Sequence, residues 1–99
     1  MSRKTNASKS VRARRFRVLG DENRLRLIET LFQGPANVTS LANLLGLEQS
    51  LTSHHLASLR KEGLVETFRD GKEVFYCLAK HIIAGNSCLE LGCCQITLH

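Results

Sequence analysis

The segment of residues 48–60 predicts a short helix with two chemically different faces. Four of its residues recur at i, i+3, i+4 and i+7, which is the spacing of a stripe that packs on a core. The other positions carry small or neutral hydrogen-bonding side chains, whereas a solvated helix face usually carries Lys and Glu. Such a face indicates close contact with a polar surface, and a DNA major groove is the obvious candidate. The inward stripe is Thr52, His55, Leu56 and Leu59, and the outward residues are Gln49, Ser50, Ser53, His54 and Ala57.

The elements on both sides of this helix predict the rest of the fold. An earlier short helix ends at Gly46, so a tight turn joins two helices, as in a helix-turn-helix whose second helix enters the groove. Gly63 is a helix stop after the second helix. Asp70-Gly71, a strong hairpin signal, then separates two β-like runs, residues 64–69 and 72–78. The pattern therefore predicts an α+β, mostly helical fold: a winged helix-turn-helix with a two-stranded β-hairpin wing.

A two-residue loop at Asp70-Gly71 also predicts the register of the hairpin. On one face of the hairpin Val65, Thr67, Val74 and Tyr76 are expected to pack inward, with Arg69 and Lys72 at the tip. Cys77 falls on the opposite face, where we interpret it as a structural residue. The predicted pairs are Val65–Tyr76, Thr67–Val74 and Arg69–Lys72.

Two further helices are predicted nearer the N-terminus. The first covers about residues 10–19, and the second runs from an N-cap at Asp21 to about residue 32. A turn follows over residues 33–37, with Val38 expected to pair with the wing and Thr39 or Ser40 to cap the third helix. The predicted core positions are Leu25, Ile28, Leu31 and Phe32 in the second helix, and Leu41, Leu44 and Leu45 in the third.

The region after residue 78 fits more than one pattern. Residues 79–84 predict a short helix that stops at Gly85-Asn86. Beyond it, Leu89, Leu91 and Cys94 are loosely helical, whereas Cys94, Ile96 and Leu98 alternate as in a strand. We favour a short helix or turn followed by a terminal strand over about residues 93–98.

Four stretches of the chain together resemble the ArsR family of bacterial winged-helix repressors. They are LGDENRLRLIETL (19–31), VTSLANLLGL (38–47), QSLTSHHLASLRKEGLV (49–65) and RDGKEVFYCL (69–78), about three-fifths of the chain. The resemblance implies a homodimer, a double-stranded DNA operator with two-fold symmetry, and repression that a ligand relieves. In that family the post-wing region usually forms a dimerisation helix, whereas this tail is short and interrupted by glycines.

The resemblance also assigns DNA contacts to the outward face of the helix. The matching positions are Gln49, Ser50, Ser53 and His54, and each side chain can bond a base edge or a phosphate. His55 lies on the inward stripe, so we interpret it as a packed histidine with a hydrogen-bond partner. Arg69 and Lys72 at the wing tip are expected to contact phosphate, although a solvated hairpin tip gives the same pattern.

Charge is concentrated at the N-terminus. Residues 1–20 hold seven Lys or Arg and no acid, while the remainder of the chain holds seven bases and nine acids. We predict a basic arm over residues 1–10, either a solvated tail or a phosphate-binding segment, and one winged-helix domain over residues 11–99 with a cysteine-rich tail from about residue 79. No apolar run is long enough to span a membrane, and no apolar segment follows the basic start as in a secretory signal. A cytoplasmic location, with reduced thiols, is therefore expected.

The cysteines of the tail are candidates for a sensor site. Two ligand sets that the family resemblance would imply, cysteines in the third helix and Asp/His pairs on a C-terminal helix, are missing from the sequence. Cys88, Cys93 and Cys94 instead place three thiols within seven residues. Thiolates favour soft ions such as arsenite, cadmium, lead or copper(I). A redox switch, or a buried structural role with no ligand at all, fits the same pattern.

These features favour a homodimeric, sequence-specific DNA-binding repressor released by a ligand or thiol signal. The alternative from another class is a winged-helix protein-interaction module that does not read DNA. The sequence argues against an enzyme, because it offers no phosphate-binding glycine loop, no paired carboxylates and no nucleophile with an evident base.

Overall fold

A winged helix-turn-helix body forms most of the molecule. The computed structural model describes the backbone of residues 9–85, 88–90 and 95–97, and side chains within residues 13–84. Most of the predicted basic arm, residues 1–8, therefore lies outside the described residues. The helices are α1 (Lys9–Leu19), α2 (Glu22–Leu31), α3 (Val38–Leu45) and α4 (Gln49–Lys61), followed by the wing strands β1 (Val65–Asp70) and β2 (Glu73–Leu78). The predicted α+β winged-helix fold is confirmed.

Helix α2 begins where the sequence predicts. The side chain of Asp21 accepts hydrogen bonds from the backbone N–H groups of Asn23 (2.8 Å) and Arg24 (3.2 Å), so it satisfies two donors that a helix N-terminus leaves free. The buried face differs slightly from the prediction. Leu27 joins Ile28 and Leu31 in the core, whereas the predicted Leu25 and Phe32 are only partly buried.

The start of α3 corrects two predictions. Asn37, not Thr39 or Ser40, is the N-cap, and its Oδ1 accepts from the backbone N–H of Ser40 at 2.8 Å. Val38 is accordingly already helical. The residue that pairs with the wing is Ala36, which forms an isolated antiparallel bridge with Tyr76.

The core side of α3 is also rotated from the expected one. Leu41 is buried, but Leu44 is 68% exposed. Ala42 is buried instead and Leu45 is partly buried. An α-helix turns by about 100° per residue, so Leu41, Leu45 and Ala42 lie on one side of α3. Leu44 lies outside that side, about 60° from Leu41 in the direction away from Ala42. The sequence pattern of leucines alone did not reveal that Ala42, and not Leu44, belongs to the buried side.

The hydrophobic core lies between α2, the inward side of α4, the base of the wing and the turn that follows it. Burial of these side chains supplies the main driving force for folding. The buried set is Leu19, Leu27, Ile28, Leu31, Leu41, Leu56, Leu59, Leu64, Val65, Leu78, Ala79 and Ile82.

The predicted wing exists, but its register was wrong by two residues. Val65 pairs with Leu78, Thr67 with Tyr76 and Arg69 with Val74. The two-residue loop is therefore Gly71-Lys72, and Gly71 adopts a left-handed φ of 67° that favours glycine. Because side chains alternate with a period of two, a shift by two keeps each residue on its predicted face. That face packs on the core only toward the base, through Val65 and Tyr76; the prediction that Val74 packs inward is wrong, since this residue lies near the tip and is 38% exposed. Pairing Val65 with Leu78 extends the buried end of the hairpin by a residue that the predicted register left unpaired.

The region after the wing is a small sheet, which corrects the predicted tail. A 3-10 turn, Lys80–Ile82, replaces the predicted helix over residues 79–84. Strands β3 (Ile83–Gly85), β4 (Cys88–Glu90) and β5 (Gln95–Thr97) follow, in the order β3-β4-β5. The expected helix or turn after residue 87 is thus strand β4, and β5 lies inside the predicted terminal strand.

Candidate nucleic-acid interface

A tight turn holds α3 and α4 as a helix-turn-helix. Gly46 ends α3 with a left-handed φ of 68°, a conformation that costs a residue with a Cβ more than it costs glycine. The backbone N–H of Leu47 then donates to the carbonyl of Ala42 at 2.9 Å. This hydrogen bond satisfies the carbonyl of Ala42 near the end of α3. Together with the turn at Gly46, it sets the direction in which α4 starts.

The inward stripe of α4 is buried as the sequence predicts. Leu56 and Leu59 are fully buried, Thr52 is fully buried, and His55 is 6% exposed. The hydroxyl of Thr52 donates to the carbonyl of Glu48 at 2.9 Å, so its polar atom is satisfied within the helix. The stripe anchors α4 over almost its whole length.

The outward face of α4 is open to solvent. Four residues predicted to contact DNA lie on it, and all are exposed together with the small Ala57. Their contact with DNA stays a prediction. The four residues are Gln49, Ser50, Ser53 and His54.

Beneath this face, His55 is held by charged side chains of α2. Its Nδ1 accepts a hydrogen bond from Nε of Arg24 at 3.0 Å, and its Nε2 lies 4.0 Å from Oδ1 of Asp21. Burial lowers the pKa of His55 below its ordinary value of 6.5; Asp21 opposes this shift, and Arg24 and His54 add to it. The ring is therefore neutral at pH 7, which agrees with its role as an acceptor. The predicted packed histidine is confirmed, and its partner Arg24 is new.

A salt bridge connects the far end of α4 to α1. Nε of Arg14 lies 3.3 Å from Oε1 of Glu62, the residue that ends α4. Arg60 and Lys61 in the last turn of α4 are exposed. Contact of either residue with a phosphate stays a prediction.

The wing tip is basic and exposed. Lys72 lies in the loop and Arg69 lies in β1 opposite Val74, so the structure places both at the tip as expected. Whether they contact phosphate stays a prediction.

Two contacts join the wing to the body: the sequence placed the first at Val38 instead of Ala36, and it did not indicate the second. Ala36 and Tyr76 exchange two backbone hydrogen bonds of 3.1 and 2.8 Å. Asn37 also donates from Nδ2 to Oε1 of Glu73 at 2.6 Å. A single residue, Asn37, therefore caps α3 and connects it to the wing. Turn patterns such as Asn-Gly and Asp-Gly carry no signal for such a contact.

The side chains of the candidate thiol site lie outside the residues that the structure describes. Cys88 belongs to β4, with only its backbone described, while Cys93 and Cys94 lie outside the described residues. Cys77 is a half-buried free thiol on β2 opposite Glu66. Among side chains of residues 13–84, no group of three His, Cys, Asp or Glu is arranged to hold a metal ion.

Comparison with known proteins identifies the family of this body. The model for the bacterial regulatory proteins of the arsR family matches residues 21–67, which contain the helix-turn-helix and the first three residues of β1. The solved structure of HlyU from Vibrio cholerae is 34% identical, with a TM-score of 0.66 over 71% of this chain and 76% of that one. The chain belongs to the ArsR family. The resemblance seen in the sequence is thereby confirmed.

Two further relatives show how much of this chain the similarity covers. The cadmium resistance transcriptional regulatory protein CadC of Listeria innocua is 42% identical over 78 residues, which are 78% of this chain and 64% of CadC. The chain thus spans slightly less than two thirds of that relative. The homodimeric winged helix-turn-helix DNA-binding domain of Mb0332 from Mycobacterium bovis is 28% identical, with a TM-score of 0.68 over 80% of this chain and 76% of that one.

None of the helices within the described ranges has the length and apolar character that crossing a bilayer requires.

Proposed function

We propose that this ArsR-family chain is a sequence-specific, DNA-binding transcriptional regulator of the cytoplasm. One observation carries the proposal: α4 is fixed by a fully buried stripe while it exposes a neutral, hydrogen-bonding face. Ser53 and His54 on that face are suited to base edges, and the basic tip with Arg69 and Lys72 is suited to flanking phosphates. The helix would supply sequence information and the wing would supply affinity.

We infer that the functional unit is a homodimer on an operator with two-fold symmetry. One recognition helix per chain reads too few base pairs for a long specific site, and the related Mb0332 domain is described as homodimeric. Two copies of α4 should enter successive major grooves about 34 Å apart. Sedimentation of the DNA complex and a footprint with two protected half-sites are the expected results. A stable monomer on a single half-site would contradict the dimer.

The experiment that tests DNA reading is selection of duplexes from a randomised library, followed by a salt titration. A protein that neutralises phosphates loses affinity linearly on a log–log salt plot, with a slope of about −0.9 per phosphate contact. We expect an enriched palindromic sequence and a steep slope. No enrichment together with a flat slope would favour the alternative, a winged-helix module that binds protein.

We propose that the chain represses transcription and that a signal relieves this repression. A bound dimer that covers a promoter blocks transcription directly and needs no further contact. The related HlyU of Vibrio cholerae is, in contrast, a transcriptional activator. A reporter fused to the selected operator separates the two: repression predicts higher expression when the chain is deleted, and activation predicts lower expression.

The proposed signal acts on Cys88, Cys93 and Cys94. Three thiols within seven residues form a donor set suited to cadmium, lead, arsenite or copper(I), and the relative CadC is a cadmium resistance regulator. Oxidation of the same thiols would be an equivalent input. To release DNA, the ligand must bind more tightly to a dimer geometry that fits the operator poorly.

Replacement of all three tail cysteines by serine tests this site. The variant should bind the operator like the wild type but stay bound when cadmium, arsenite or oxidant is added. Cys77→Ser is the matched control, because it removes a thiol from the wing and should leave the response intact. Release of the triple variant by the same agents, or no release of the wild type, would show that the tail thiols are not the sensor.

A further inference from the structure

Arg24 connects three helices of the body through two hydrogen bonds. From α2, its Nη1 donates to the carbonyl of Val18 in the last turn of α1 at 3.4 Å, and its Nε donates to Nδ1 of His55 on α4 at 3.0 Å. The guanidinium group is planar, so the directions of its donors are fixed relative to one another. A shift of α4 against α1 and α2 must therefore lengthen or bend at least one of these bonds.

We propose that Arg24 and His55 are positioning residues for DNA reading, because their hydrogen bond sets the orientation in which α4 presents its outward face. The proposal rests on the DNA-binding function proposed above. Neither side chain needs to touch DNA. Both act through the exposed neighbours on α4, above all His54, whose ring centroid lies 6.1 Å from that of His55.

The choice of residue at position 55 supports a positioning role. Thr52, Leu56 and Leu59 fill the rest of the stripe, so an apolar side chain would complete the packing. A histidine there must instead lose water from a polar ring, which is unfavourable unless the ring is hydrogen-bonded. The bond to Arg24 compensates this cost only at the observed geometry. The stripe thus combines apolar packing, which tolerates small displacements, with one directional contact, which does not.

This contact depends on the protonation state of His55. Protonation at Nδ1 removes the lone pair that accepts from Arg24 and places two cations beside each other. The charged groups that act on the ring are Asp21 and Arg24 from α2 and His54 from α4. Helix α3 has no titratable side chain, and no charged residue of β1 is among the groups that shift the pKa of His55.

The sign of the pH effect follows from this arrangement. The pKa of His55 is lowered in the folded protein, so the unfolded chain takes up the proton first as the pH falls. Folding stability therefore decreases once the pH drops below 6.5 and stops decreasing below the lowered folded value. The Arg24–His55 bond is lost only as the pH falls through the lowered folded pKa of His55, and ordered presentation of α4 is lost with it.

The test is a comparison of pH profiles for specific DNA binding. His55→Asn keeps an acceptor near the position of Nδ1 but cannot titrate, and both it and the wild type retain His54. Between about pH 8 and about pH 5.5, the wild type should lose at least about fivefold more affinity for the selected operator than His55→Asn, the lower end of typical coupling between sites. Affinity for mixed-sequence duplex should change equally in both, because phosphate contacts need no fixed helix orientation.

Arg24→Gln provides a second route if His55→Asn unfolds, which circular dichroism would show. It removes the donor and retains His55, so operator affinity at about pH 8 should already be at least about fivefold lower, with a flattened pH profile. Arg26→Gln is the matched control, since Arg26 also lies on α2 but donates to Leu45 of α3 at 3.2 Å. It should keep the wild-type pH profile.

Three outcomes would overturn the proposal. Identical pH profiles for the wild type and the His55 and Arg24 variants would show that the bond does not position α4. An equal change for Arg26→Gln would show a general effect of charge on α2. Absence of any operator binding by the wild type at about pH 8 would overturn the DNA-binding function, and this proposal with it.

Discussion

Helix α4 and the wing face the same proposed ligand but are attached to the body in different ways. Four buried residues along α4, together with the Arg24–His55 bond, fix the helix over its whole length. The wing is fixed at its base by the buried Val65 and Leu78, and nearer its tip by the Ala36–Tyr76 bridge and the Asn37–Glu73 bond. A helix anchored by buried side chains suits recognition of bases, whose positions are fixed, whereas a hairpin that is mostly exposed and held by hydrogen bonds suits contact with the phosphate backbone.

The largest effect is expected from the stripe that holds α4. Leu56→Ala removes a fully buried side chain and should lower the free energy of unfolding by about 2–5 kcal/mol. Leu44→Ala is the control, since that leucine is 68% exposed and should change stability by less than about 0.5 kcal/mol. Urea unfolding measures both. Similar losses for the two variants would contradict the rotated core side of α3.

The next effect concerns what α4 presents to solvent. Ser53→Ala and His54→Ala should each weaken operator binding by about 1–3 kcal/mol if a base contact is lost, without a change in folding stability. Titration of the operator and of a mixed-sequence duplex gives the two affinities. A loss confined to the operator places the residue against a base. An equal loss on both duplexes would assign it to phosphate instead.

A smaller effect is expected where the wing meets α3. Asn37→Ala removes the helix cap and the bond to Glu73, and should cost about 0.5–2 kcal/mol of folding stability. Asn37→Ser retains a capping oxygen but loses the amide donor, so the difference between Asn37→Ser and the wild type isolates the bond to Glu73, and the difference between the two variants isolates the cap. Hydrogen exchange at the Tyr76 amide should be faster in both. Unchanged exchange would mean that the Ala36–Tyr76 bridge alone fixes the wing.

The smallest effect is expected at the wing tip. Arg69→Gln and Lys72→Gln should weaken binding to every sequence alike and reduce the steepness of the salt dependence by about 0.9 per lost phosphate contact. Lys80→Gln is the matched control, because Lys80 is equally exposed but lies in the turn after the wing. A change in sequence preference at the tip would show that the wing reads bases as well.

Features governed by local periodicity were predictable, and features governed by distant contacts were not. The α4 stripe follows from a period of 3.6, and the Asp21 cap follows from the chemistry of the residue itself. The hairpin register is set by the pairing of Val65 with Leu78 at the buried end of the wing. The local Asp-Gly pattern does not contain that information, and it placed the hairpin loop one residue too early. The Arg24–His55 bond joins residues 31 positions apart, and no pattern in a single sequence specifies such a pair.

The tail shows the same distinction. Glycines and alternating residues indicated that it was not one long helix, and β5 lies where alternation suggested a strand. Strands of three residues are too short for periodicity to distinguish them from turns, however, and β4 was missed for that reason. The candidate contact residues of α4 could be chosen by type and exposure, but the bases that they would meet depend on the DNA.

The division of α4 into two sets of residues has a consequence for how such a regulator diverges after gene duplication. Residues that keep the helix folded and residues that face solvent do not overlap, so exposed positions can be exchanged with little loss of stability. A duplicate could thus acquire a new operator through a few surface substitutions while its body stays under purifying selection. The same separation makes α4 a practical starting point for laboratory redesign of sequence preference.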